Sequence, residues 1–220
     1  MQVVFLGLPG AGKGTQATKI TEDYGIPHIA TGDMFRSAIS AGTDLGKEVQ
    51  RYLDAGLLVP DELTIRVVKD RLEAKDAQKG FLLDGFPRTR PQAEALDQIL
   101  AELGRPLTKV LYLVVSQDEL LRRLTGRQVC KECGASYHVV FNPPHVEGIC
   151  DRCGGKLVIR ADDEPQAVAV RLQQNMLRTE ELAGFYAERG LLGKIDGEQA
   201  ISHVYDEIRQ ILRGDTHDYR

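Results

Sequence analysis

Short apolar runs alternate along most of the chain with longer stretches in which apolar positions recur every three or four residues. The runs VVFLG, GFLLDG and KVLYLVV are almost uniformly apolar, which predicts strands buried on both faces of a parallel sheet. A three-residue strand is predicted at KID, and helices at about residues 13–24, 32–39, 45–55, 61–73, 90–103, 116–124, 163–192 and 201–212. This alternation predicts an α/β fold with a parallel sheet and helices on both faces.

Two helix starts carry more specific signals. Thr31 stands where a side chain could cap the helix that follows HIAT, and Ser116 with Glu119 matches a capping box. Farther along that second helix, Arg123 and Arg127 are four residues apart and would share one face if the helix continued that far.

One segment, from Thr125 to Arg160, lacks the spacing of apolar residues that predicts long helices. Glycine, proline, cysteine and short β-type runs such as SYHVVF dominate it, which predicts a small β-rich insertion. Between Arg122 and Arg160 there are seven basic and three acidic residues, whereas the whole chain has a net charge of −4. The insertion is therefore either an ordinary solvated surface or a cover over something anionic.

Composition excludes several classes of protein. The chain has 220 residues, 42% hydrophobic and 27% charged, which is ordinary for a soluble globular protein. Its acidic balance argues against a surface built for nucleic acid, and no apolar run approaches the roughly 20 residues that span a bilayer. The start lacks the features of a secretion signal, which predicts a reducing cytoplasm in which disulfides are uncommon. Nothing marks a second extended apolar face, so we expect a monomer.

The stretch GLPGAGKGT follows a predicted strand and opens a predicted helix. Gly7, Gly12 and Lys13 fit G-x-x-x-x-G-K, whose backbone N–H groups and lysine bind phosphate oxygens; a glycine-rich turn is the plainer alternative. The next position is Gly14 instead of a metal-binding Ser or Thr, which argues against most GTPases and motor ATPases. This pattern favours a small-molecule kinase. Asp84 would hold a water molecule of the kinase's Mg²⁺ ion; the alternative is that Asp84 only caps a helix or turn after the strand.

All four cysteines lie in the insertion, as two Cys-x-x-Cys pairs separated by sixteen residues. This spacing matches a zinc site, and four thiolates leave no open position for water, so the metal would be structural. A redox site, disulfides and a nucleic-acid-binding zinc knuckle are the alternatives. His138 and His145 are nearby substitutes as ligands, but the cysteines Cys130, Cys133, Cys150 and Cys153 already fill a site.

Three motifs, GLPGAGKGTQ, TGDMFR and DGFPRTRPQ, resemble the adenylate kinase family of nucleoside monophosphate kinases. The cysteine-bearing insertion resembles the zinc-carrying lid of the bacterial long form. The resemblance implies a parallel-sheet P-loop kinase core with a helical AMP-binding insertion and a small β-rich zinc lid. The implied ranges are 1–29, 60–124 and 163–220 for the core, 30–59 for the AMP-binding subdomain and 125–162 for the lid.

The resemblance also implies the reaction, ATP plus AMP giving two ADP with Mg²⁺, and closure of the lid to exclude water. The implied catalytic residues are Lys13, Arg88, Arg123, Arg160 and Arg171. ATP would be bound by Gly10, Ala11, Gly12, Lys13, Gly14, Thr15, Arg123, Arg127, Ser136, Tyr137 and Gln199. AMP would be bound by Thr31, Arg36, Leu57, Leu58, Val59, Gly85, Phe86, Arg88, Gln92, Arg160 and Arg171.

The chemistry of such a reaction agrees with these residue types. An anionic phosphate acceptor needs no general base, and guanidinium groups bind two phosphate oxygens at once. Gln92 carries a donor and an acceptor, which match the amino group and a ring nitrogen of adenine and mismatch guanine. Two other functions compete: a kinase that uses GTP as donor, and a nucleic-acid-binding zinc-ribbon protein that hydrolyses or only binds ATP.

Overall fold

The computed structural model describes residues 1–55, 57–160, 163 and 165–214, and within these the side chains at 165–167 and 171 lie outside the description. The strands are β1 (Gln2–Leu6), β2 (His28–Ala30), β3 (Phe81–Asp84), β4 (Lys109–Val114), β5 (Arg127–Cys130), β6 (Ser136–His138), β7 (Leu157–Val158) and β8 (Leu192–Asp196). The α-helices are α1 (Lys13–Tyr24), α2 (Thr31–Ser40), α3 (Asp44–Asp54), α4 (Asp61–Leu72), α5 (Arg90–Glu102), α6 (Gln117–Thr125), α7 (Pro165–Ala187) and α8 (Ile201–Arg213).

Five strands form the main sheet, in the order β2-β3-β1-β4-β8, and every pairing between them is parallel. β1 lies at the centre, where Val4 is level with Leu83 of β3 and Val110 of β4. Each of these three side chains has no exposed surface. The uniformly apolar runs of the sequence are thus strands covered on both faces, and the predicted α/β fold is confirmed.

Successive residues of each strand supply the two faces of this sheet. Val4 and Leu6 pack in one apolar cluster with side chains of α4, α5 and α7, whereas Val3 and Phe5 pack in a second cluster with α1, α6 and α8. Burying each such side chain contributes about 1.5–3 kcal/mol relative to leaving it exposed. The sheet is therefore held from both sides, as the sequence predicts.

A small helical unit, α2 with α3, has an apolar cluster of its own. Phe35 and Val49 are buried there with Val59 and Leu63. The two helices approach closely at Gly46, where an added Cβ would lie 2.2 Å from the carbonyl oxygen of Ala38. Only a residue without a side chain permits this approach.

The predicted β-rich insertion is confirmed as a three-stranded antiparallel sheet, in the order β6-β5-β7. Its buried apolar cluster is small and consists of Cys130, Tyr137, Cys150 and Leu157. We call this insertion the lid; its described residues are 125–160. No helix in the described part of the chain has the length and apolar content to cross a membrane.

Both predicted capping interactions are wrong. Helix α2 begins at Thr31 itself, and the Thr31 hydroxyl donates instead to the carbonyl oxygen of Gly85, 2.9 Å away. Ser116 does occupy the N-cap of α6, but its side chain makes no capping hydrogen bond. Glu119, the other half of the predicted box, pairs with arginines of the next turn. Tertiary partners have replaced the local ones in both cases.

Two helix ends also differ from prediction. Helix α6 ends at Thr125 and Arg127 opens strand β5, so Arg123 and Arg127 do not share a helix face. Helix α7 ends at Ala187, whereas the pattern predicted helix to residue 192. Gly190, with a φ angle of 66°, follows α7 in a left-handed turn, and β8 then begins at Leu192 and pairs with β4.

Candidate active site

A cleft of about 850 Å³ lies beyond the carboxyl ends of the central strands, where parallel sheets of this kind hold their ligands. The loop after β1 and the residues that end and follow β3 form its floor, and the lid contributes to its wall. Among its described lining residues eight are basic and four acidic. The cleft is thus positively charged in a chain whose net charge is −4, which favours an anionic ligand.

The loop between β1 and α1 has the backbone of a phosphate-binding loop. Gly10 and Gly12 have φ angles of 87° and 93°, which glycine adopts without strain. The loop leads directly to the N-terminus of α1, where unpaired N–H groups favour anions. Lys13 Nζ donates to the carbonyl oxygens of Gly7 (2.8 Å) and Leu8 (3.1 Å). Its ammonium group is therefore held inside the curl of the loop.

Asp84 faces this lysine from the end of β3. One carboxylate oxygen lies 4.0 Å from Lys13 Nζ and the other 3.5 Å from His28 Nε2. Burial opposes ionisation of Asp84, but the positive charges of Lys13 and Arg88 and the contact with His28 outweigh it and lower its pKa to about 2. The floor of the cleft thus carries a fixed carboxylate at neutral pH, suited to holding the water shell of Mg²⁺.

Several arginines of the cleft are paired with carboxylates. Arg36 and Arg160 both contact Asp33 Oδ1, at 2.5 and 3.5 Å. Their side chains come from α2 and from the end of the lid, so one carboxylate joins two parts of the molecule. Arg123 Nε donates to Glu119 at 2.7 Å. These acidic partners hold the guanidinium groups together in a cluster.

Arg127 has the most buried of these partners. It makes two hydrogen bonds to Asp163, whose side chain has no exposed surface, and the bond from Nε is 2.7 Å long. A bidentate pair of this kind fixes the plane of the guanidinium group. Arg127 is thereby oriented where the lid leaves the core.

A second, smaller pocket opens beside the cleft and contains Gln92. Its walls are largely apolar, from Phe35, Leu53 and the segment 57–59. The Gln92 side chain is buried, with only 2% of its surface exposed. The pocket has a volume of about 30 Å³, so its apolar walls and fixed amide suit contact with one hydrogen-bonding edge of a flat heterocycle.

The predicted site residues converge on these two cavities. The described ones that line the main cleft are Gly10, Ala11, Gly12, Lys13, Gly14, Thr15, Arg36, Leu57, Asp84, Gly85, Arg88, Arg123, Arg127, Ser136, Tyr137, Arg160 and Gln199. Those that line the smaller pocket are Thr31, Leu57, Leu58, Val59, Gly85, Arg88 and Gln92. Phe86 lies in neither set, because its side chain is fully buried in the core. The side chain of Arg171 lies outside the described part of the structure.

The four cysteines lie together, as a metal site requires. All are free thiols, and their Sγ atoms lie within 4.8 Å of one another. The pairs Cys130–Cys153 and Cys133–Cys150 are 3.4 and 3.6 Å apart, too far for the roughly 2.05 Å of a disulfide. Four sulfurs about 2.3 Å from a tetrahedral metal stand about 3.8 Å apart, so the cluster fits an ion such as zinc.

Sequence reasoning missed the acidic partners of the cleft. Asp33 stands within TGDMFR and Asp163 just after the lid, but neither position marks a carboxylate as an arginine partner. His28, the first residue of β2, also lines the cleft beside Asp84. The one available signal is the excess of arginines, since a cluster of guanidinium groups needs counter-charges wherever it is partly buried.

The family model for adenylate kinase matches residues 5–191. The chain belongs to the adenylate kinase family. Curated proteins named adenylate kinase are similar over nearly their whole length: 58% identity with one from Geobacillus sp. (strain WCH70) and 54% with one from Bacillus subtilis (strain 168), each covering 97% of this chain and 99% of the relative. The adenylate kinase match includes the phosphate loop, Asp84 and all four cysteines, and confirms the resemblance drawn from the motifs.

Proposed function

We propose that this protein catalyses the reversible transfer of a phosphoryl group from ATP to AMP, giving two ADP. The observation that carries the proposal is one basic cleft that joins a phosphate loop to a pocket containing Gln92. Two nucleotides would share the main cleft of about 850 Å³, and the base of the acceptor would contact the smaller pocket, which has a volume of about 30 Å³. The competing function, nucleic-acid binding by a zinc ribbon, leaves the Gln92 pocket without a role.

The donor nucleotide would lie on the phosphate loop, where Lys13 would turn from the carbonyl oxygens of Gly7 and Leu8 to the phosphates. Negative charge is concentrated on the oxygens of the phosphoryl group during its transfer, so catalysis depends on alignment of the two nucleotides and neutralisation of this charge. Mg²⁺ bound with ATP would neutralise part of that charge, and Asp84 would hold it through water.

The arginines would exchange their present protein partners for phosphate oxygens. Arg88 lines both cavities and Arg36 lines the main cleft, which supports a role for both at the AMP phosphate, and Arg123, Arg127 and Arg160 reach the cleft from the lid side. Asp33, Glu119 and Asp163 hold four of these groups in position, namely Arg36, Arg160, Arg123 and Arg127. Because a guanidinium group binds two oxygens at once, the same groups can clamp both nucleotides; Arg171 is included by resemblance.

No general base is required, because the phosphate of AMP is already ionised at neutral pH. The hazard is water, which could accept the phosphoryl group in place of AMP. We assign residues 125–162 to a lid that closes to exclude it, residues 30–59 to an AMP-binding subdomain and the remainder to the core.

The lid would contain one structural zinc ion per chain, bound by Cys130, Cys133, Cys150 and Cys153. Four thiolates close the coordination shell, so the ion would stabilise the lid and take no part in phosphoryl transfer. The partners of the enzyme are then ATP, AMP and ADP, and we expect a cytoplasmic monomer that binds neither nucleic acid nor membranes.

A transfer assay across nucleoside monophosphates and triphosphates tests this function. We expect AMP to be the preferred acceptor, and comparison of ATP with GTP decides which donor is used. Absence of AMP phosphorylation with every donor would refute the proposal. Lys13→Ala should lower turnover about 100- to 1,000-fold, the usual cost of removing one group that stabilises transferred charge.

The matched control is Lys69→Ala. Lys69 pairs with Glu102 on the surface of α4, 3.0 Å away, and lies outside the lining of both cavities. It should leave turnover unchanged. If both variants lose activity equally, or if Lys13→Ala keeps it, Lys13 does not have the assigned role.

A further inference from the structure

The amide of Gln92 is held by two partners of opposite hydrogen-bonding character. Its Nε2 donates to Asp61 Oδ1 at 2.7 Å, and its Oε1 accepts from the backbone N–H of Arg88 at 2.8 Å. A carboxylate can only accept and a backbone N–H can only donate. The contacts therefore admit one orientation of the amide, and turning it over would set oxygen against oxygen and N–H against N–H.

Asp61 is itself held in place. Thr89 Oγ1 donates to Asp61 Oδ2 at 2.8 Å and accepts from the backbone N–H of Gln92 as the N-cap of α5. Asp61 is the first residue of α4, where a negative charge is favoured by the helix dipole. The carboxylate thus joins the starts of two helices around one buried amide.

The nitrogen and the oxygen of the Gln92 amide can each form one more hydrogen bond. Nε2 has a second hydrogen and Oε1 a second lone pair, both on a side chain that lines the apolar pocket. In the fixed orientation they match a ring nitrogen that accepts and an exocyclic amino group that donates, as on adenine. A 6-oxopurine presents the opposite pair, a carbonyl oxygen and a ring N–H. It would be matched only by the reversed amide.

We propose that Asp61 is the specificity-determining residue of the acceptor site, because it holds the Gln92 amide in the orientation that accepts 6-aminopurines and rejects 6-oxopurines. Asp61 acts through Gln92 and is a positioning residue. The inference rests on the proposed function, since it takes the pocket to bind the base of the acceptor nucleotide.

Asp61→Asn removes the carboxylate that fixes the orientation of the Gln92 amide, and it keeps the shape of the side chain. An asparagine amide can present either its oxygen or its nitrogen to Gln92, so the reversed amide of Gln92 is opposed only at the Arg88 N–H. We expect the ratio of kcat/KM for AMP to that for IMP to fall about tenfold, the equivalent of one hydrogen bond to a charged group. IMP is the appropriate probe because it differs from AMP at the 6-position without an added 2-amino group.

The matched control is Glu62→Gln, which removes a neighbouring exposed carboxylate from the same helix turn. Like Asp61→Asn, it removes one negative charge from the first turn of α4, so it controls for any effect on the helix dipole. It should leave the ratio of kcat/KM for AMP to that for IMP unchanged. Asp61→Ser is a second variant without the carboxylate, and it should lower the ratio in the same direction. Melting temperatures confirm that each variant is folded.

The outcomes separate the two claims. If the wild-type enzyme does not phosphorylate AMP, the proposed function fails and the acceptor pocket is misassigned. If it does, but Asp61→Asn lowers AMP and IMP use equally or Glu62→Gln changes the ratio as much, Asp61 has only a structural role and the inference is overturned. A fall confined to the Asp61 variants, with increased relative affinity for IMP by calorimetry, supports it.

Discussion

The main sheet and the lid are both β-structures, but they are stabilised by different means. The central strands bury apolar side chains on both faces, and Val4, Leu83 and Val110 have no exposed surface. The lid has one small cluster in which two of the four buried residues are cysteines. It also leaves large apolar side chains on its surface, such as Val140 at 71% exposure. A sheet of three short strands with so little buried surface needs another source of stability.

The arrangement suits a lid that moves while its interior stays fixed. A metal ion constrains the four ligand sulfurs locally and requires no packing against the core. The main sheet, in contrast, holds the phosphate loop and Asp84 in a fixed relation through helices on both faces. If this comparison is right, the two regions respond independently to perturbation.

The largest expected effect is that of metal removal. Chelation should unfold the lid, because ligation of structural zinc contributes on the order of 10 kcal/mol to the folding of small metal-dependent units. Amide hydrogen exchange should show loss of protection in β5–β7 and little change in β1, β3 and β4. Restoring zinc should restore protection. Equal loss of protection in both sheets, or no loss in the lid, would contradict the comparison.

A pair of leucine truncations gives the next largest effect. Leu83→Ala removes a fully buried side chain from β3 and should lower the free energy of global unfolding by about 3 kcal/mol. Leu157→Ala removes a buried side chain from β7 and should cost less than about 1 kcal/mol in the same denaturant titration, because the zinc ion that we propose for the lid would still hold it together. Similar losses for the two variants would show that lid and core unfold as one unit.

The smallest effect concerns pH and is confined to the lid. Burial lowers the pKa of His138, whose Nδ1 accepts from the backbone N–H groups of Val140 and Phe141. A histidine whose pKa is lowered by folding stabilises the folded lid above its unfolded pKa of about 6.5, and this contribution is lost as pH falls below that value.

His138→Asn keeps an acceptor at this position but cannot be protonated in this range. Between pH 7.5 and 5.5 the protection factors of lid amides should decrease more in the wild type than in the variant, while those of the main sheet behave alike. Since both proteins have the same cysteines, the difference isolates His138. Identical pH dependence in the two proteins would refute the assignment.

The architecture was predictable because its signals are local. Uniformly apolar runs predict covered strands, the spacing of Gly7, Gly12 and Lys13 predicts a phosphate loop, and the cysteine spacing predicts a metal cluster. Helix ends were less predictable. Thr31 and Ser116 each have the chemistry of a cap, but distant carbonyl and carboxylate groups decide what they contact.

The fine structure of the site was not predictable, because it depends on residues far apart in the sequence. Asp61 and Gln92 are separated by thirty-one positions, and Asp33 meets Arg160 from 127 positions away. Neither acid stands in a motif that indicates its partner. The arginines could be assigned to phosphate from sequence, but the carboxylates that hold them became visible only with the fold.

The contact of Asp33 with Arg36 and Arg160 has a consequence for competition inside the cell. A carboxylate that occupies two guanidinium groups behaves as a built-in substitute for a phosphate ion, so any ligand must displace it. Free inorganic phosphate gains little from that exchange, because it replaces one small anion with another. A nucleotide is also bound through its base and ribose and gains more. The cleft can therefore be strongly basic and still remain available to its substrates when inorganic phosphate is present.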